Sequence, residues 1–131
     1  MKSKASRKVR IGLLGVAHTH AESYAAHLIS PASRAELVGV YDRHERFGRQ
    51  FAKRYKVPFR KDADSLLAEV DSVIIASENA FHHRLTKTAA RAGKHVLCEK
   101  PIALTLAQAR EMKQEVRNAK VKFQKIGRAH V

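Results

Sequence analysis

An α/β fold with a doubly wound parallel sheet is what this sequence predicts, on three observations. Short β-rich runs alternate with helix-patterned segments along the chain. The run Ser72-Val-Ile-Ile-Ala76 is almost continuously apolar, as expected of a strand covered on both faces. Strands joined through helices pair in parallel, because parallel neighbours require crossover connections. With 131 residues the chain is long enough for one domain and too short for two, a domain taking roughly 100–200 residues.

The elements follow in order. Val9-Arg-Ile-Gly-Leu-Leu-Gly-Val16 is a β-rich run that ends in a turn signal. Thr19-His-Ala-Glu22 has capping-box spacing, a Thr oxygen and a Glu three residues on satisfying orphan backbone N–H groups. The helix it opens is expected to bury Tyr24, Ala25, Leu28 and Ile29 and to stop at Ser30-Pro31. Residues 36–41 form the second strand, and Phe47, Phe51 and Tyr55 recur every four residues on the helix after it. Residues 57–60 read as a short third strand, followed by a helix near 63–68. Residues 72–76 are the fourth strand; Leu85, Ala89 and Ala92 line the next helix, with Gly93 as its stop. Residues 95–98 are the fifth strand. Thr105-Leu-Ala-Gln108 repeats the capping spacing and starts a last helix to about Asn118, and residues 121–124 begin a sixth strand.

Composition narrows the function classes. The hydrophobic content of 44% is that of a folded globular protein. No apolar run approaches the roughly 20 residues a membrane span needs, so no membrane partner is expected. The N-terminus, residues 1–8, is a basic tail without the apolar stretch of a secretory signal. One cysteine, Cys98, makes no internal disulfide, which points to a reducing compartment, the cytoplasm. The 26 Lys and Arg against 12 Asp and Glu give a net charge of +14, a surface that attracts polyanions. The basic residues are spread over nearly every helix and form no single stripe, and no zinc-finger spacing or base-stacking strand accompanies them. No nucleic-acid partner is therefore expected. A nucleic-acid binder would lose affinity steeply with salt.

The end of the chain has a separate reading. Residues 126–131, Ile-Gly-Arg-Ala-His-Val, back-translate as ATC GGA AGA GCA CAC GTC with TGA next, the string of a widely used sequencing-library adapter with an in-frame stop. Residues 125–131 are accordingly expected to be a non-native tail, residues 9–124 the domain, and the gene to have continued.

In a parallel α/β sheet, ligands bind at the carboxyl ends of the strands, near the switch in strand order. Chemistry is therefore expected after Val16, Tyr41, Ala76 and Cys98. The first loop, Gly15-Val-Ala-His-Thr-His20, stands where a Rossmann-type fold carries G-x-G-x-x-G, whose glycines allow a tight turn and close backbone approach to a pyrophosphate. Gly15 fills the first position, while Ala17 and His20 occupy the second and third; His18 lies between them. The helix N-terminus still offers free N–H groups and a favourable dipole. The same turn also occurs in α/β proteins that hold no nucleotide.

Asp42 follows the second strand, somewhat farther from Gly15 than the usual 20 or so positions. A carboxylate there accepts both hydrogen bonds of an adenosine ribose and repels a 2′-phosphate. Arg43 could instead pair with a 2′-phosphate or stack on adenine, and the pair could equally be a solvated Asp-Arg at a helix start. The cofactor reading is NAD or NADP, leaning to NAD. The remaining loops are Ser77-Glu-Asn-Ala-Phe-His82 and Glu99-Lys-Pro101, the proline holding Lys100 extended at the mouth of the sheet.

Gly93-Lys-His-Val-Leu-Cys-Glu-Lys-Pro-Ile-Ala-Leu-Thr105 resembles the signature of the Gfo/Idh/MocA oxidoreductases, the glucose-fructose oxidoreductase and inositol dehydrogenase family. Residues 35–42 and 71–76, with Asn79 and His82 beyond, also sit where that family puts them, so that the likeness covers about residues 9–124. The resemblance implies the N-terminal NAD(P)-binding domain of an enzyme that moves hydride between a nicotinamide and a carbon bearing a hydroxyl, on a sugar, cyclitol or related molecule. It implies that Lys100 assists charge and proton movement as the catalytic residue. Asn79 and His82 are implied beside the cofactor, with Asp42 on the ribose. Gly15, Ala17, His18, Arg43, Ser77, Glu99, Lys100 and Pro101 complete the expected cofactor-binding set. It further implies that a C-terminal α+β substrate domain is missing, that this fragment alone is inactive, and that the full-length protein is a homo-oligomer. Glu78 departs from the proline that members often carry, as Ala17 and His20 depart from glycine. The alternative is a non-catalytic dinucleotide-binding or regulatory module.

Eight histidines prompt a check for metal. His18-x-His20 and His82-His83 could be imagined as ligands together with Cys98. They fall on different loops with no C-x-x-C or H-E-x-x-H frame, so no metal is expected. Cys98 reads as a small buried strand residue, and no Ser-His-Asp arrangement is visible.

Overall fold

The computed structural model describes residues 8–100 and 102–126. Its elements run β1 (Val9–Leu14), α1 (Ala21–Leu28), β2 (Ala35–Tyr41), α2 (Glu45–Tyr55), α3 (Ala63–Leu67), β3 (Ser72–Ile75), a 3₁₀ turn (Asn79–Phe81), α4 (His82–Arg91), β4 (His95–Glu99), α5 (Leu106–Ala119) and β5 (Phe123–Ile126). The strands make one sheet in the order β2-β1-β3-β4-β5, every pair parallel. The last two residues of β5 extend beyond residue 124, pairing Lys125 with Cys98 and Ile126 with Glu99.

Two apolar layers flank the sheet, which is what makes it doubly wound. On one face Ile11, Leu13, Leu37, Val40 and Ile74 pack with Ala25 and Leu28 of α1 and Phe51 and Ala52 of α2. On the other, Leu14, Val73, Ile75, Val96 and Cys98 pack with Leu66 and Leu67 of α3 and Leu85 and Ala89 of α4. The alternation slips once, in β2: Ile11 faces Leu37 but Gly12 faces Gly39. Val38 is the extra residue of a bulge, so Leu37 and Val40 point to the same layer despite their odd spacing.

Four expectations need correction. Residues 57–60 are not a sheet strand; they contribute one isolated bridge, Val40 to Phe59. Val40 N donates to Pro58 O at 3.0 Å and Arg60 N to Val40 O at 2.8 Å. Pro58 has no N–H to extend that ladder. The capping box at Thr19 does not form: His20 is the N-cap of α1, without a side-chain cap bond. His20 N donates instead to His18 Nδ1 at 3.0 Å, and Ala21 N to His18 O. Of the aromatics on α2, Phe51 is buried, but Phe47 is 58% exposed and packs edge-on against His44. On α1, Ile29 is the exposed C-cap, not a core residue.

The second capping box does form. Thr105 Oγ1 accepts from Gln108 N at 3.1 Å, while Gln108 Oε1 accepts from Leu104 N at 3.2 Å. Gly93 ends α4 at φ +76°, a left-handed conformation that glycine adopts freely. Among the described residues, no helix is long and apolar enough to cross a membrane.

Candidate functional site

The sheet order sets the site. β2 lies on one side of β1 and β3 on the other, so the order reverses between β1 and β3 and leaves a crevice at their carboxyl ends. Gly15 turns the chain there at φ +88°. A Cβ on Gly15 would lie 2.4 Å from Ser77 Cβ and 2.5 Å from Ser77 Cα, so only glycine lets the loops after β1 and β3 meet. Gly15 N donates to Tyr41 O at 2.7 Å, and His18 N to Ala76 O at 2.9 Å.

Asp42 fastens this turn to the end of β2. Its Oδ2 accepts from Val16 N at 2.9 Å and its Oδ1 from His44 N at 2.8 Å, with the residue 4% exposed. Each carboxylate oxygen keeps a further lone pair, so both can still accept from a hydroxyl. Arg43 is half exposed at the rim, its Cζ 4.1 Å above the centre of the Phe81 ring. The crevice is lined by Gly15, Tyr41, Asp42, Arg43, Ser77, Glu78, Phe81, Arg84 and Leu85.

Behind the crevice, His82 is fully buried and its Nε2 donates to Ser77 O at 3.1 Å, bracing the loop after β3 from below. Ser77 is buried and Asn79 exposed. His83 points away, its Nε2 3.2 Å from Glu111 on α5. The pair His82-His83 therefore diverges and shares no ligand.

Glu99 at the end of β4 is 1% exposed. His20 Nδ1 lies 2.9 Å from its Oε1, His18 Nε2 3.6 Å from its Oε2, and Lys100 N donates to Oε2 at 3.2 Å. The two hydrogen bonds, from His20 and the Lys100 amide, with the His18 ring close by, are what makes a buried carboxylate tolerable. His18, His20 and Glu99 come close enough to share a metal ion. Because His18 Nδ1 accepts the His20 amide, however, its ring proton sits on Nε2, the nitrogen that faces Glu99. The arrangement is thus two imidazoles turned onto one carboxylate. Sequence reasoning found each residue but not this union: His20 and Glu99 are 79 positions apart, and nothing local links them.

Cys98 is free and buried, and burial pushes its thiol up to about 12, with a hydrogen bond to Thr86 opposing the shift. It is neither a nucleophile nor a ligand in this state. Lys100 is half-buried next to Glu99 at the mouth of the sheet. Pro101 lies outside the described residues. Besides the His20–Glu99 contact, sequence reasoning missed Phe81 as a crevice wall; its place two residues beyond Asn79 was the available signal.

The chain is similar to known proteins. The family GFO_IDH_MocA, described as an oxidoreductase family with an NAD-binding Rossmann fold, matches residues 9–126. Glucose-6-phosphate 3-dehydrogenase of Bacillus subtilis is 35% identical over 112 residues, 86% of this chain and 31% of that protein. Inositol 2-dehydrogenase of Rhizobium meliloti is 34% identical over 119 residues, 88% of this chain and 34% of that one. The crystal structure of a probable dehydrogenase from Thermotoga maritima superposes with a TM-score of 0.81 at 31% identity, over 89% of this chain and 35% of that one. The chain spans about a third of the length of these relatives. With the family match running from β1 to the end of β5, the chain belongs to the Gfo/Idh/MocA oxidoreductases and is their NAD-binding Rossmann unit.

Proposed function

We propose that residues 9–124 bind NAD or NADP, with NAD preferred, in the crevice between β1 and β3, and that the full-length protein oxidises or reduces a CH–OH carbon of a sugar, cyclitol or similar molecule. The observation that carries this is the Asp42 carboxylate, tied by two backbone amides to the Gly15 turn at the point where strand order reverses. An acceptor so fixed suits the vicinal hydroxyls of an adenosine ribose.

The residues present fit such a group. Gly15 lets the turn close against Ser77, and the small Ala17 would leave room for a pyrophosphate near the start of α1, whose peptide dipoles favour an anion. Ser77 and Asn79 would line the inner wall, His82 would hold Ser77 in place, and His18 would keep the loop against Ala76 through its amide. Arg43, stacked on Phe81, would offer its outer face to the adenine. Bound in this way, the nicotinamide would supply the hydride acceptor or donor. Lys100 would hold or release a proton at Nζ beside the reacting oxygen, its backbone anchored by Glu99. Glu99 would act through Lys100 and His20, not on substrate.

Residues 1–8 and 125–131 are read as tails, Lys125 and Ile126 continuing the last strand beside β4. The free, buried thiol supports the cytoplasm as compartment. The full-length protein is read as a homo-oligomer, without a nucleic-acid or membrane partner. A non-catalytic dinucleotide-binding module is the second reading, favoured by Ala17 and His20 at glycine positions. It shares the binding prediction and differs in turnover by the full-length protein.

The test is titration of the chain with NADH and NADPH, followed by nicotinamide fluorescence after circular dichroism has confirmed folding. The sequence has no Trp, so background emission is low. Saturable binding is expected, tighter for NADH. A folded chain that binds neither would overturn the reading.

A further inference from the structure

The loop after β3 places a carboxylate at the rim of the crevice that the family likeness does not call for. Glu78 is about one-third exposed, and its Oε2 lies 3.7 Å from Arg43 Nε. His44 Nε2 is 3.5 Å from the same oxygen, but it also accepts from Arg43 Nε at 3.3 Å, so the positive charge facing Glu78 on that side is the guanidinium. The backbone of Glu78 is held by Ser77, whose Oγ donates to Glu78 O at 3.0 Å. The other carboxylate oxygen, Oε1, is shielded from solvent and has no hydrogen-bond partner among the described residues. Buried acceptors are almost always satisfied, so an orphan at the edge of a binding crevice marks a place for a donor.

We propose that Glu78 selects between the two dinucleotides, favouring the one without a 2′-phosphate; this rests on the dinucleotide reading above. Two features point the same way. A ribose hydroxyl is a donor and can satisfy an oxygen of Glu78 after rotation about its terminal bond, whereas a phosphate dianion offers acceptors alone. Arg43, the cation best placed to receive a 2′-phosphate, is already engaged by Glu78 at the rim and by the Phe81 ring below it. A 2′-phosphate would have to displace Glu78 from Arg43 while lying near two carboxylates, Asp42 and Glu78, that line the same crevice. Arg84, on the same wall, adds positive charge that works against this discrimination.

Glu78→Gln removes the charge and keeps the size. The measurement is the Kd of NADH and NADPH for wild type, E78Q and the double variant R43A/E78Q, each first shown to be folded by circular dichroism. Wild type is expected to favour NADH. E78Q is expected to shift the NADPH-to-NADH preference toward NADPH by about tenfold or more, mostly through tighter NADPH binding, and the gain should shrink as salt is raised. In R43A/E78Q the gain should vanish. A preference in E78Q within about twofold of wild type would overturn the role of Glu78 while leaving the dinucleotide reading intact, as would a gain that survives loss of Arg43. Binding of neither dinucleotide by folded wild type would overturn both.

Discussion

At the scale of single residues, the site is built from contacts that leave little room for substitution. Gly15 combines a left-handed backbone with the approach of Ser77, so Gly15→Ala meets two penalties. An L-side chain at positive φ costs about 1–2 kcal/mol, and the new methyl would press on backbone atoms that cannot swing away. Destabilisation of at least about 2 kcal/mol is expected in urea unfolding, with loss of NADH binding under conditions where the variant is still folded. A neutral result would mean that the two loops part easily. Gly15, Asp42 and Ser77 were legible because strand ends are where a parallel sheet concentrates its chemistry, and a glycine or carboxylate there stands out. His20 was legible only as a departure from glycine. Its partner Glu99 comes from the far end of the chain, and which ring nitrogen faces it depends on a rotamer no sequence pattern encodes.

The secondary-structure elements show the same division. Two segments share capping-box spacing, yet only the one before α5 forms it, because there Thr105 is itself the N-cap, whereas α1 starts one residue later, with His20 as its N-cap. Before α1, the ring of His18 takes the His20 amide, and the helix starts without a side-chain cap. Thr105→Ala should therefore cost about 1 kcal/mol, and Thr105→Ser or Thr105→Asn should restore most of it. Thermal unfolding of the three variants measures this directly. Strand signals were readable wherever branched apolar residues run together, as in β3. They overcounted at residues 57–60, where Val57 and Phe59 have strand character but Pro58 interrupts the donor series. The bulge in β2 was invisible, since Val38 is as apolar as its neighbours and only the opposing strand shows it to be extra.

For the molecule as a whole, the most specific pH effect comes from the interior. Cys98 has an ordinary thiol value of 9.0, and burial raises it to about 12 in the folded state. A raised folded value contributes stability that is complete below pH 9 and is lost as pH climbs toward 12, because only the unfolded chain can release that proton. At pH 10 the loss should be about 1.4 kcal/mol relative to pH 8. Cys98→Ala should flatten this part of the curve in denaturant titrations at stepped pH, whatever it costs in packing. At the acid end, Glu111 and Glu115 on α5 are held below the usual carboxylate range, first by hydrogen bonds from Lys87 and Arg91 of α4. Their contribution is present above the ordinary glutamate range and fades as pH falls through it, but solvent screens both pairs.

The position of β1 has a consequence for how the chain comes to be folded at all. The first strand made ends up inside the finished sheet, paired with β2 along one side and β3 along the other. One edge finds its partner early, Val9 against Ala35, whereas the other must wait for Ser72 to meet Ile11. At ribosomal rates of roughly 5–20 residues per second, seconds pass between the two events. During that interval an apolar strand edge is open, and open edges are templates for the wrong neighbour. The growing chain is therefore still open to mispairing after β2 has docked and until β3 emerges.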